Sequence, residues 1–176
     1  TITGGDVFVT GANVDFDLSK ISSDTTVTFI GDNTLVAAVE RTDIPDAFYV
    51  DSQLTGTATQ LSGLTITGGD VFVTGANVDF DLRLLNTADN VTFISSSTLH
   101  DSVDRDDIPD EVNVDTKLTG TATQLTGLTI TGGDVFVTGT HVDFNLQKLN
   151  TADSVTFISS STLDTGVDRD DIPDEV

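Results

Sequence analysis

The stretch Thr65–Leu82 reads TITGGDVFVTGANVDFDL, residue for residue the same as Thr1–Leu18, and it returns at Thr129–Leu146 as TITGGDVFVTGTHVDFNL. The step is 64 residues both times, with no insertion or deletion. A chain that repeats itself at a fixed interval is read as an array before anything else, because one such unit cannot bury its apolar face without its neighbours. The units are 1–64, 65–128 and a shorter third, 129–176, expected to form one continuous body. The chain starts without Met and stops inside its third unit, which suggests a segment of a longer array.

Within a unit, apolar residues alternate with polar ones: Val7 and Val9, then Val14, Phe16 and Leu18, then Val27 and Phe29. A period of two, rich in Val, Thr and Phe, specifies strands. Turn residues interrupt at Gly4-Gly5, Gly11, Gly31-Asp32-Asn33, Pro45-Asp46, Gly56 and Gly63. A weaker interval of 21 or 22 residues runs inside the unit, in the rows Phe8, Phe29, Val50, Phe72 and Leu18, Val39, Leu61, Leu82. The expected fold is all-β, a parallel β-solenoid with about three ~21-residue coils per unit, each coil rising ~4.8 Å. The alternative is a string of small β-sandwich modules, one per unit.

Nine of the ten Phe fall at three places in the unit: Phe8, Phe72 and Phe136; Phe16, Phe80 and Phe144; Phe29, Phe93 and Phe157. All are expected to point inward. Between unchanged positions, Val36-Ala37-Ala38 becomes His100-Asp101-Ser102 and then Asp164-Thr165-Gly166. Free exchange of apolar for charged residues marks a surface loop.

Twenty-nine acidic residues against seven basic ones give a formal charge of −22, which opposes binding to nucleic acid or an anionic membrane. High salt or bound divalent cations would relax this self-repulsion. There is no Cys, hence no disulfide framework. The longest apolar run, Leu35–Val39, is far too short to cross a bilayer.

The best candidate site is an acidic turn: ERTDIPDAF at Glu40–Phe48, then DRDDIPDEV at Asp104–Val112 and Asp168–Val176. Oxygen donors concentrated in a turn suit Ca2+. The candidate ligands are Asp43, Asp46, Asp104, Asp106, Asp107, Asp110, Glu111, Asp168, Asp170, Asp171 and Asp174, although the spacing matches no EF-hand loop. The competing reading is a solvated turn in which Arg41, Arg105 and Arg169 pair with neighbouring carboxylates. Asp15-Phe16-Asp17 and its copies place further acids on the outer face. Thr55-Gly-Thr57-Ala-Thr59 recurs only once per unit, too sparsely for an ice-binding face. The sequon Asn90-Val91-Thr92 occurs in one unit only, and the two histidines, His100 and His141, are not repeat equivalents. No motif for catalysis is present, and near-identical units argue against an active site, so no enzyme is expected.

These acidic, Thr-rich, Cys-free β repeats resemble, across all 176 residues, the repeat regions of large secreted prokaryotic surface proteins of the adhesin, sheath or fibre type. The resemblance implies export to the cell surface or beyond, frequent calcium dependence and a mechanical or adhesive role. Expected partners are flanking repeats and other copies of the chain, joined through open strand edges. A glycan or cell surface is the alternative partner.

Overall fold

The computed structural model describes the chain except residues 16, 22–24, 76, 79–80, 95, 140, 143–144, 159–161 and 164. Unit 1 contributes β1 (Gly5–Thr10), β2 (Asn13–Val14), β3 (Thr25–Ile30), β4 (Asp32–Leu35), β5 (Ala47–Val50), β6 (Gln53–Thr57) and a one-turn helix, α1 (Ala58–Leu61). Unit 2 contributes β7 (Thr65–Thr67), β8 (Asp70–Thr74), β9 (Asn77–Val78), β10 (Asn90–Phe93), β11 (Ser96–Leu99), β12 (Glu111–Val114), β13 (Lys117–Thr121) and α2 (Ala122–Leu125). Unit 3 contributes β14 (Thr129–Thr131), β15 (Asp134–Thr138), β16 (His141–Val142), β17 (Ser154–Phe157) and β18 (Thr162–Leu163). Short 3-10 turns lie at Arg41–Asp43, Arg83–Thr87, Arg105–Asp107, Gln147–Thr151 and Arg169–Asp171.

Every ladder among the described residues is parallel, and each strand pairs with the strand one coil before or after it. The molecule is therefore a parallel β-solenoid, as the alternation and the internal rows foretold. Ladders β5–β7 and β6–β8 cross the boundary between units 1 and 2, and β12–β14 and β13–β15 cross the next, so the units are not separate modules.

The sheets run β1-β3-β5-β7, then β2-β4-β6-β8-β10-β12-β14, then β9-β11-β13-β15-β17, with β16-β18 apart. Strands β1, β8 and β15 carry the same sequence yet lie in three different sheets. The 21-residue step holds where Thr34 faces Thr55, but it contracts to 17 where Gln53 faces Asp70 and to 18 where Ala47 faces Thr65. Ten segments of each full 64-residue unit are thus laid over three faces, about three and a third coils. Each successive unit is turned by one face about the axis. Turns continue the faces where strands lapse: Gly68 donates its N–H to the Thr87 carbonyl (3.1 Å) and Leu82 to that of Asp107 (2.8 Å).

One core runs the length of the stack. Val14, Leu35, Val73, Phe93 and Val114 follow one another along an inner row, interrupted at Gly56. The gap is filled from α1: a Cβ at Gly56 would lie 3.1 Å from Leu61 Cγ and 3.0 Å from Leu35 Cδ1. Gly120, beneath Leu99 and Leu125, repeats the device.

The phenylalanines divide. Phe29 and Phe93 are wholly buried, and Phe157 packs against the core. Phe8, Phe72 and Phe136 point outward instead, against expectation, with Phe8 60% exposed. The cause is register. Phe8 faces Thr28, an interval of 20, while Val9 faces Phe29. A slip of one residue turns every side chain of a strand to the other face. Phe16, Phe80 and Phe144 lie outside the described residues. The expected surface loop is exposed at Ala37, Ala38, His100, Asp101 and Ser102, while Val36 is half-buried against the core.

Candidate functional site

In the acidic turn, two carboxylates of each copy have a mechanical task. Asp107 donates its N–H to the Asp104 carbonyl (3.0 Å), and its carboxylate accepts the Asp104 N–H (3.0 Å). Asp43 does the same with Glu40, and Asp171 with Asp168. This reciprocal pair closes the 3-10 turn before a proline that cannot donate a bond of its own. The Arg105 guanidinium then reaches to the next coil. Its Nε donates to the Thr126 carbonyl (2.7 Å), one terminal nitrogen to Ile108 (3.2 Å) and the other to the Asp110 carboxylate (2.8 Å). Arg41 repeats this with Ser62, Ile44 and Asp46, and Arg169 keeps the bonds to Ile172 and Asp174.

So the structure brings Asp46, Asp110 and Asp174 to an arginine, and Asp43, Asp107 and Asp171 to the turn backbone. Asp104 and Asp168 stand at its start, and Asp106, Glu111 and Asp170 are exposed. Among the described residues, no three His, Asp or Glu side chains gather in a cation-holding arrangement. A Ca2+ ion at this turn would compete with Arg105 for Asp110 and with the Asp104 N–H for Asp107. Each ion pair has an exposed aspartate and adds little by itself; the bonds from Arg41 and Arg105 to carbonyls of the next coil tie the stack together.

The outer acids likewise hold a turn. Asp81 accepts the Arg83 N–H (3.0 Å) and pairs with its guanidinium (2.9 Å), and Asn145 accepts the Gln147 N–H (3.1 Å). At the equivalent place, the Ser19 hydroxyl and N–H hold the Asp17 carboxyl below the usual carboxylate range. Asp79 and Asp143 lie outside the described residues.

The sequence reading missed Gln60 and Gln124. Both are buried at the end of the one-turn helices. Gln124 Nε2 donates to the carbonyls of His100 (2.7 Å) and Val103 (2.8 Å) on the preceding coil, while Oε1 accepts the Thr121 N–H (3.0 Å). The signal was the motif Thr-Ala-Thr-Gln-Leu, a Thr followed three residues on by Gln, which is a capping box. Gln124→Ala removes bonds to three backbone groups, two of them carbonyls on the preceding coil; the His100 carbonyl keeps the Val103 N–H (3.0 Å), while the Val103 carbonyl and the Thr121 N–H lose the glutamine. The expected loss is about 2–4 kcal/mol in urea unfolding, against less than about 0.5 for the exposed neighbour in Thr123→Ala.

A shallow groove recurs once per unit. In unit 2 it has a volume of about 560 Å³ and is lined by Leu85, Asp89, Asn90, Asp110, Glu111 and Thr129. It opens because β10 pairs with β8 from Asn90 onward but meets β12 only at Thr92 and Phe93, so the strand starts splay apart. Its counterparts are lined by Ile21, Thr25 and Asp46 in unit 1 and by Leu149, Asp153 and Asp174 in unit 3. The groove is open, mainly polar in units 2 and 3 and mainly apolar in unit 1.

No protein-family model matches the chain, and neither a curated protein nor a solved structure matches it. Among the described residues no helix is long and apolar enough to cross a membrane.

Proposed function

We propose that this chain is part of the shaft of an extracellular fibre or adhesin, a spacer whose length is set by the number of units. The observation that carries the reading is the run of ladders across both unit boundaries. The unit has no closed core of its own, because its strands pair across both boundaries. Adding a unit adds coils with the same pattern of inward positions and the same Gln and Arg ties between coils. Stability of such a stack is a sum of coil and coil–coil contributions. Its open strand edges favour association with further repeats or other copies of the chain. The acidic surface fits a molecule that stays hydrated and separate along its flanks.

The test is a series of arrays with three, six and nine units, viewed by negative-stain microscopy and small-angle scattering. Rod length is expected to grow by ~16 Å per added unit, three and a third steps of the strand spacing. Particles resembling beads on flexible links, or units that melt independently of array length, would sink the proposal.

A further inference from the structure

Among the described residues, the two aromatic side chains that stand more than half exposed, Phe8 and Tyr49, both lie on the sheet β1-β3-β5-β7. Asp6 is the one charged residue in its four strands. Its outer positions carry Phe8 (60% exposed), Tyr49 (51%) and Ile30 (38%) among threonines. Phe8, Thr28, Tyr49 and Thr67 form one outward row in ladder register. The fold does not demand this. In unit 2 the places of Ala47 and Tyr49 are taken by Glu111 and Asn113, over inner residues that still pack. An exposed apolar patch on a charged molecule marks a contact surface.

The size of the patch points to its occupant. Four strands at ~4.8 Å by six residues at ~3.3 Å give roughly 400 Å². A stable protein pair needs about 800 Å² on each side, so a second copy of the chain is poorly served. With one carboxylate, Asp6, and no basic residue in its strands, the face offers a polyanion no ion pair and a polycation only one. What fits is a flat, neutral ligand that stacks on aromatic rings and bonds to hydroxyls. In a β-1,4-linked glucan or N-acetylglucosamine polymer the ring substituents are equatorial, so each sugar face presents C–H groups to an aromatic ring. The two rings sit two coils apart, ~9.6 Å along the axis. Two sugar units of such an extended chain span about that length, with Thr28 between the rings to meet the intervening hydroxyls.

We propose that the β1-β3-β5-β7 face binds a neutral, extended β-1,4-linked polysaccharide, with Phe8 and Tyr49 as the stacking residues. The proposal stands apart from the shaft reading, whose test is rod length. The 176-residue chain is mixed with microcrystalline cellulose, chitin and, as a control, α-linked dextran beads, and the bound fraction is measured. Sedimentation velocity without polysaccharide follows the state of association. Tyr49→Asn, which installs the residue unit 2 carries there, and Phe8→Thr are compared, with circular dichroism confirming the β signal. Retention on cellulose or chitin, absent on dextran and reduced at least tenfold by either substitution, is the expected result, and the better matrix tells glucan from N-acetylglucosamine polymer. No retention on either, or retention indifferent to both substitutions, overturns it. So does a dimer that Tyr49→Asn dissociates without any retention, which would assign the face to a second copy.

Discussion

Gly69→Ala is expected to cost about 3–5 kcal/mol, combining a left-handed backbone penalty with overpacking of a close contact. Gly69 turns the corner between β7 and β8 at φ +65°, and a Cβ there would lie 2.4 Å from Val50 Cγ1 and 2.9 Å from the Val50 carbonyl oxygen. Val50 is buried one coil below and has little freedom to move. Gly5 occupies the same place in unit 1, also at positive φ, but has no atom within 4 Å of the Cβ position. Gly5→Ala should therefore show the backbone component alone, about 1–2 kcal/mol. Urea unfolding of the two variants separates the terms. Equal losses would mean that the contact with Val50 relaxes freely. For a molecule of ordinary marginal stability the larger loss approaches the whole margin.

Phe29→Ala is expected to cost about 3–5 kcal/mol, and Phe8→Ala less than about 0.5. The two residues lie on adjacent strands of one sheet. Phe29 is fully buried and meets Phe48 edge-on, with ring centroids 4.8 Å apart and planes at 61°. That contact is lost together with the buried area. Phe8 stands on the opposite face in water. Comparable losses in chemical unfolding would show that β1 pairs in the other register. On the third unit's strand β15, Phe136 has a different neighbour, with Lys117 Nζ 4.2 Å from its ring centre, so Phe136→Ala removes a cation–ring contact on the surface.

The strand-rich, parallel, coiled nature of the chain was legible because period-two alternation and the 64-residue step are properties of the sequence itself. Rows such as Leu18, Val39, Leu61 and Leu82 were also readable, since four apolar residues in succession leave little choice of face. The orientation of Phe8 was not readable by the same means. Val7-Phe8-Val9 is apolar on both faces, and a row spaced at 21 joined Phe8 to Phe29. The ladder joins Val9 to Phe29 instead. Period two already contained the answer, because Val7 and Val9 cannot share a face with Phe8.

The acidic turn was visible as a turn, and its proline and conspicuous charge drew attention to ligands. What no spacing rule reveals is the destination of the arginine. The partners of Arg105 at Thr126 and Ile108 are backbone carbonyls, which carry no residue signature. The Gln124 bonds to His100 and Val103 are hidden for the same reason. The step between coils escaped too, because even in the strand ladders it varies from 17 to 21 residues within one unit and shows its mean only when the whole unit is laid on three faces.

That fractional winding bears on how such genes change length. Unequal recombination between near-identical tandem repeats adds or removes whole units. Here, losing one unit preserves the pattern of inward positions and yet swings everything beyond the junction by a third of a turn. A feature that faced one side of the rod would then face another, with no substitution in the protein. Only changes by three units, 192 residues, restore the original bearing. The array is thus free to drift in length by any number of repeats, while the direction in which its distal parts look is kept in a count modulo three.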